Sequence, residues 1–318
     1  MPSFDGGHYF LTVMIPVRMD TVEDAMAGGQ ATSHLHALRE VLAALPTALQ
    51  TPATEKIGVN SPFARDARTH FTRIFVVDDV AFNGRGARDP IKVALAGPPP
   101  AQFDPVDQLC GAWLIYIADF DAADGNAASV DGYLHGLWSV MEEEWRAILQ
   151  HCHGGERADG PDGFARLIRA CELETTMPFN DYWEGAPPLE PVALKPVITA
   201  VLGGVAAIAV GFVVAMSMGS AWLWLSLLGL LVILGAIGFA IWRIVGQSKK
   251  PFPAAPRSDL PSVLKALYLQ QRFTRFAIEM QGKDASALHA GFAGFLSAHK
   301  PGEVTAPTQP RGVVRSMP

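Results

Sequence analysis

"LKPVITAVLGGVAAIAVGFVVAMSMGSAWLWLSLLGLLVILGAIGFAIWRIV", residues 194–245, holds no acidic side chain and only two basic ones, Lys195 and Arg243. A helix needs about 20 apolar residues to cross a bilayer, so these 52 residues accommodate two spans and a turn. Ser217-Met218-Gly219-Ser220 interrupts the run and divides it into spans at 196–216 and 221–243. Lys195, Arg243, Lys249 and Lys250 flank the outer ends, and the turn is uncharged. Because Lys and Arg are retained on the cytoplasmic side, this pattern predicts a two-pass protein of the inner (plasma) membrane with both termini in the cytoplasm. Trp222 and Trp224 suit one interface and Trp242 the other. Gly203, Ala207, Gly211 and Ala215 recur every four residues, giving the first span a flat face against which the second can pack closely. Residues 196–242 carry no ionisable side chain, so nothing there suggests an ion or proton pathway. The segment reads as an anchor.

Charge divides at this anchor. Residues 1–193 carry 27 acidic and 13 basic side chains, a formal charge of −14, whereas residues 247–318 carry 4 and 10, giving +6. An acidic head argues against nucleic acid as its partner, since phosphate binding needs concentrated positive charge. The basic flank beyond the anchor suits inner-membrane lipid headgroups. Cys110, Cys152 and Cys171 form no CxxC pair and no zinc spacing, which fits a reducing compartment. The N-terminus "MPSFDGGHYFLTV" lacks the charged n-region and apolar core of a signal peptide.

Upstream, the head reads as an alternation of strands and helices. "HYFLTVMIPV" (8–17), "THFTRIFVVDDV" (69–80) and "AWLIYIADF" (112–120) are β-branched and aromatic, as strands are. "SHLHALREVLAAL" (33–45) sets leucines at helical spacing behind Ser33 as N-cap. "SVDGYLHGLWSVMEEEWRAILQHC" (129–152) is a long amphipathic helix with Ser129 as its expected cap, and "DGFARLIRAC" (162–171) is a shorter one. A last strand over Glu172–Met177 ends at Pro178. The order β-α-β-β-α-β predicts an α+β, ferredoxin-like domain over residues 1–183, whose uncovered sheet face invites a homodimer. A proline-rich linker, 184–195, follows. Beyond the anchor, 260–281 and 284–300 are amphipathic and predict a helical hairpin across 260–300. This hairpin would dock on the oppositely charged head or lie on the bilayer with Lys265, Arg272 and Arg275 toward phosphates. Residues 301–318 read as a disordered tail.

The strand "HFTRIFVVDD" followed by "WLIYIADFDAADG" and the "YLHGLW" helix resembles the dimeric α+β-barrel superfamily of dye-decolourising peroxidases and chlorite dismutases, including bacterial membrane-anchored members of no assigned function. The resemblance covers about residues 8–180. It implies a haem-dependent or other redox enzyme acting near the membrane, with His70, His151 or His153 as haem ligand. The GxxDG motif of the peroxidases corresponds here to Asp121-Ala122-Ala123-Asp124-Gly125, which keeps the Asp-Gly and lacks the first glycine.

No GxSxG, HExxH or P-loop string is present, so no nucleophile or base identifies itself. Candidate ligand-binding residues are His70 and Arg73 on the second strand, Arg85 and Arg88 in the loop "FNGRGARDP", and Glu174 and Tyr182 in "ELETTMPFNDYW". His151-Cys152-His153 reads as a helix end, because donors at i and i+2 diverge. "DFDAADGNAASVD" fails the EF-hand register, with Ala123 at loop position 5 and Val130 at position 12. No cofactor or metal set follows from the residues themselves. The expectation is a membrane-tethered cytoplasmic domain that binds a ligand or a partner protein of a membrane complex, the haem enzyme being the alternative.

Overall fold

The computed structural model describes residues 3–24, 29–79, 91, 94–95, 97, 109–175 and 193–314. Residues 2–180 and 256–318 together make one compact unit, and residues 181–255 make another. The first is a mixed α+β domain on an antiparallel sheet. Strand β1 spans Phe4–Asp5, β2 His8–Pro16, β3 Thr21–Asp24, β4 Gln30–Ser33, β5 Thr69–Val77, β6 Trp113–Asp121 and β7 Glu172–Leu173. At the centre β2 and β6 pair along their whole length, from His8 opposite Asp121 to Pro16 opposite Trp113. β5 lies on the far side of β6, while β1 and β7 share the other edge of β2. Of the expected strand 172–177, β7 takes Glu172–Leu173; residues 176–177, Pro178 and most of the linker expected at 184–195 lie outside the described residues. The Thr175 hydroxyl continues the attachment by donating to that of Thr12 (2.7 Å). The β3–β4 hairpin was not foreseen.

Alternation sorts the sheet into two faces. Leu11, Val13, Ile15, Leu114, Tyr116, Ala118 and Phe120 are buried on the inner face. Against it lie helix α1 (His34–Ala44), which carries the buried Leu38, and α3 (Ala127–Leu149), with α4 (Pro161–Ala170) beyond. α2 is the short Pro52–Ile57 helix. Phe120 stacks on Tyr133 with ring centroids 3.6 Å apart, and Tyr116 and Phe164 both contact Trp145. Removing one such buried ring costs about 3–5 kcal/mol. Ser33 caps α1 as expected, its hydroxyl accepting from His36 N–H. The cap of α3 is Asn126 and not Ser129: the helix starts earlier, and Asn126 Oδ1 accepts the Ser129 N–H (2.9 Å).

The C-terminal helices α7 (Leu260–Glu279) and α8 (Ala285–His299) belong to this same unit. Phe276 and Phe295, 5.2 Å apart, join them. Lys265 is buried and donates to the carbonyl oxygens of His299 and Pro307, both at 2.8 Å, so it faces inward and not toward lipid. The chain beyond α8 does not follow the expected disorder as far as residue 314. Leu49 N–H donates to Gly312 O and Val314 N–H to Leu49 O, each at 2.8 Å, while Asn60 Nδ2 donates to Arg311 O. Residues 49–65 of the head thus hold the end of the chain.

In the other unit, helices α5 (Leu194–Met218) and α6 (Leu223–Ser248) are long and apolar enough to cross a membrane, with mean hydropathies of 2.6 and 2.4 over their most apolar windows. Only 11% and 6% of those windows are buried, so these are not core helices of a soluble domain. The contact face keeps Gly211, buried against Ser226, and the half-buried Ala207 and Ala215 of the expected row, and takes Gly204 in place of Gly203. Gly203 faces open space, whereas a Cβ on Gly204 would lie 2.7 Å from Gly229 O. The Ser226 hydroxyl donates to Ile208 O across the pair (3.0 Å). Overpacking such an approach costs about 1–3 kcal/mol. Gly229→Leu is therefore expected to lower the thermal midpoint of the detergent-solubilised protein, while Gly203→Leu leaves it within a degree or so of wild type. Equal losses for the two variants would refute this face assignment.

Candidate functional site

The outer face of the sheet bears the odd-numbered residues of β6 and the even-numbered ones of β2. His8 and Asp121 end those strands directly opposite each other. His70 joins them through an irregularity in β5. Thr69 pairs with Phe120 and Phe71 with Asp119, so His70 is an extra residue without a partner on β6. Such a bulge re-aims a side chain. Thr69 is held on the inner side by Asp66 Oδ1, which accepts its hydroxyl at 3.1 Å, and by Tyr133 OH at 3.0 Å. Phe71 is 73% exposed.

His70 Nε2 lies 2.7 Å from Asp121 Oδ1, and His8 Nδ1 lies 3.6 Å from the same oxygen. The two rings are nearly perpendicular, with centroids 5.0 Å apart. The side chains retain only 10% (His8), 12% (His70) and 20% (Asp121) of their exposure. The other carboxylate oxygen, Oδ2, accepts the Leu260 backbone N–H at 2.8 Å, so the first residue of α7 fixes the orientation of Asp121. One potential ligand atom from each of His8, His70 and Asp121 falls within 4.8 Å of the others, and this is the only such group among the described residues. Two imidazoles and a carboxylate can hold a divalent metal or pass a proton between them. Two residues before Asp121, on the same face, Asp119 has its pKa raised by burial, against the opposing pull of His70 and Arg73.

Of the residues selected from sequence, His70 is in this cluster. Arg73 is exposed one face-repeat further along β5. Glu174 is exposed beyond β7, which meets β2 at Thr12 and Val13 and not at His8. Arg85, Arg88 and Tyr182 lie outside the described residues. His8 and Asp121 were missed because each looks like an ordinary strand end. Only the antiparallel register and the bulge bring His70 to them.

A second histidine pair sits at the opposite end of β2. His34 opens α1, and His151 follows the end of α3, where its carbonyl accepts Arg18 N–H (2.9 Å). Their Nδ1 atoms are 2.9 Å apart and both residues are buried, so one ring donates to the other. His153 is exposed, and so diverges from His151 as expected for a helix end. Burial is the main cause lowering both pKa values below the ordinary 6.5, with the Arg18 charge adding to it. The unfolded chain then binds protons that the folded chain refuses, so stability is complete above pH 6.5 and declines as pH falls below it. The thermal midpoint should drop on acidification through this window, with a shallower slope in the His34→Gln/His151→Gln double variant. An unchanged slope in that variant would exclude the pair as its source.

Comparison with protein-family models, curated proteins and solved structures finds no match, so the reading of these sites rests on their own geometry.

Proposed function

We propose that this protein is a two-pass membrane-anchored, ferredoxin-like α+β domain that binds a ligand or partner protein at the cytoplasmic surface of the inner membrane. One observation carries the anchoring. Residues 2–180 and 256–318 make one unit although the apolar hairpin separates them in sequence. Both ends of the hairpin must therefore emerge on the same side of a bilayer, which requires an even number of crossings. Two helices of spanning length satisfy that requirement. Lys195, Arg243, Lys249 and Lys250 at those ends favour the cytoplasmic side and anionic lipid.

The strand succession β5-β6-β2-β7, with α1 between β2 and β5 and α3 and α4 between β6 and β7, supports the split βαβ arrangement. Its outer face exposes Phe71 and Phe75, with Leu173 at the edge, and this supports self-association or partner binding there. The haem alternative finds less support. His151 is buried and paired with His34, and His153 is exposed.

Cysteine labelling in intact cells tests the orientation. A membrane-impermeant maleimide should label Ser220→Cys, in the turn between the helices, before permeabilisation. The native Cys110, exposed in the head, should be labelled only afterwards. Labelling of Cys110 from outside, or of neither position before permeabilisation, would overturn the proposal.

A further inference from the structure

We propose that His8, His70 and Asp121 form a binding site for a divalent first-row transition ion, zinc foremost, and that the bound ion locks the start of α7 onto the outer face of the sheet. The donor set is the first argument. Imidazole suits Zn²⁺ and its neighbours in the series, and a carboxylate supplies one negative charge. An oxygen-only cation such as Ca²⁺ or Mg²⁺ would not select two histidines. Three protein ligands leave a fourth position of a tetrahedron for water or a ligand atom.

Geometry is the second argument. Metal–ligand bonds of about 2.0–2.1 Å set tetrahedral donor atoms about 3.4 Å apart. His8 Nδ1 and Asp121 Oδ1 are already separated by 3.6 Å. The shorter 2.7 Å between His70 Nε2 and the same oxygen is a hydrogen bond. Metal would take the place of the proton on Nε2: a neutral ring then carries its one proton on Nδ1 instead, and an imidazolium ring releases one proton to solvent. The ring must then withdraw by about 0.7 Å to reach the tetrahedral spacing. His70 sits at a bulge, where the ladder does not fix its position. The −14 of residues 1–193 outweighs the +6 of residues 247–318, so the segments that surround the site remain acidic in sum, which favours a dication.

The hydrogen bond to the other oxygen of Asp121 is the third argument. Ligating carboxylates are commonly hydrogen-bonded through the other oxygen, which orients the ligand and tunes its affinity. Here that donor is Leu260 N–H, from a segment 139 residues further along the chain. Leu260 is itself buried and begins α7, with Asp259 as its cap. An ion that holds Asp121 in one orientation favours the conformer in which Leu260 is bound. By linkage, docking of α7 then raises affinity for the ion.

The test uses the full-length protein in mild detergent, stripped of metal and titrated with Zn²⁺ alone, then with Co²⁺ as a spectroscopic probe. One Zn²⁺ per chain should bind and raise the thermal midpoint. Co²⁺ should give the intense visible bands of a four-coordinate site. Trypsin cleavage at the exposed Arg257, just before α7, should slow when Zn²⁺ is present. His70→Gln and the isosteric Asp121→Asn should each weaken Zn²⁺ binding by at least about tenfold, the lower limit for loss of even an outer-shell partner. His153→Gln, which changes an exposed histidine elsewhere, should bind as wild type. If His70→Gln fails to fold, the Co²⁺ spectrum of the wild-type protein and the Asp121→Asn titration decide the question. Absence of stoichiometric binding, a six-coordinate Co²⁺ spectrum, or equal loss in His153→Gln would overturn the site. Tight binding with unchanged cleavage at Arg257 would overturn the coupling to α7.

Discussion

The antiparallel pairing of β2 with β6 is the contact on which the head depends. It runs unbroken from His8–Asp121 to Pro16–Trp113 and joins residues roughly a hundred positions apart. Because side chains alternate across a strand, this one register decides which residues enter the core and which face outward. A slip by one residue would turn Leu11, Val13 and Ile15 out of the core and put Met14 and Thr12 in their place. The burial of Tyr116 and Phe120 against Trp145 and Tyr133 makes that slip costly.

The same register places polar groups at both ends of the central strands. At one end His8 faces Asp121, and the β5 bulge adds His70. At the other, the chain leaving β2 donates through Arg18 to the His151 carbonyl and brings His151 to His34. Both histidine groups are therefore by-products of strand registration, with local devices (a bulge, a helix cap) completing them. They differ in partner. The His8/His70 pair has a carboxylate between its rings, whereas the buried His34/His151 pair has mainly each other, with the Asp20 carboxylate 3.7 Å away.

Local elements were largely legible in the sequence, because each depends on neighbours within one turn or a few residues. The leucine spacing and Ser33 of α1, the strands at 8–17 and 112–120, and the apolar length of α5 and α6 fall into this class. What was not legible depends on partners distant in the chain. The helix-contact face keeps Gly211 from the four-residue row but takes Gly204 in place of Gly203, because the close approach there is made to Gly229 of α6, a partner the repeat alone does not show. Lys265 could be read as facing lipid or as part of a hairpin docked on the head, and two carbonyl oxygens that only the folded-back tail provides take it inward. The proline- and threonine-containing end of the chain resembles disorder in composition, but backbone bonds to Leu49 need no particular side chain and leave no trace in composition. Of the candidate site, His70 was visible as a histidine on a strand, and its two companions were not.

The folding unit formed by residues 2–180 and 256–318 has a consequence for biosynthesis. A chain made from its N-terminus onward exposes the head long before Leu260 or Val313 exists. The head must wait with Asp121 lacking its backbone donor and Leu49 lacking its bridge while the apolar hairpin leaves the ribosome. If the hairpin crosses a bilayer twice, as proposed, completion of the domain reports that the chain has returned to its starting side. On that proposal, a molecule whose hairpin stalled half-inserted would carry residues 256–318 across the bilayer from the head, unable to close it.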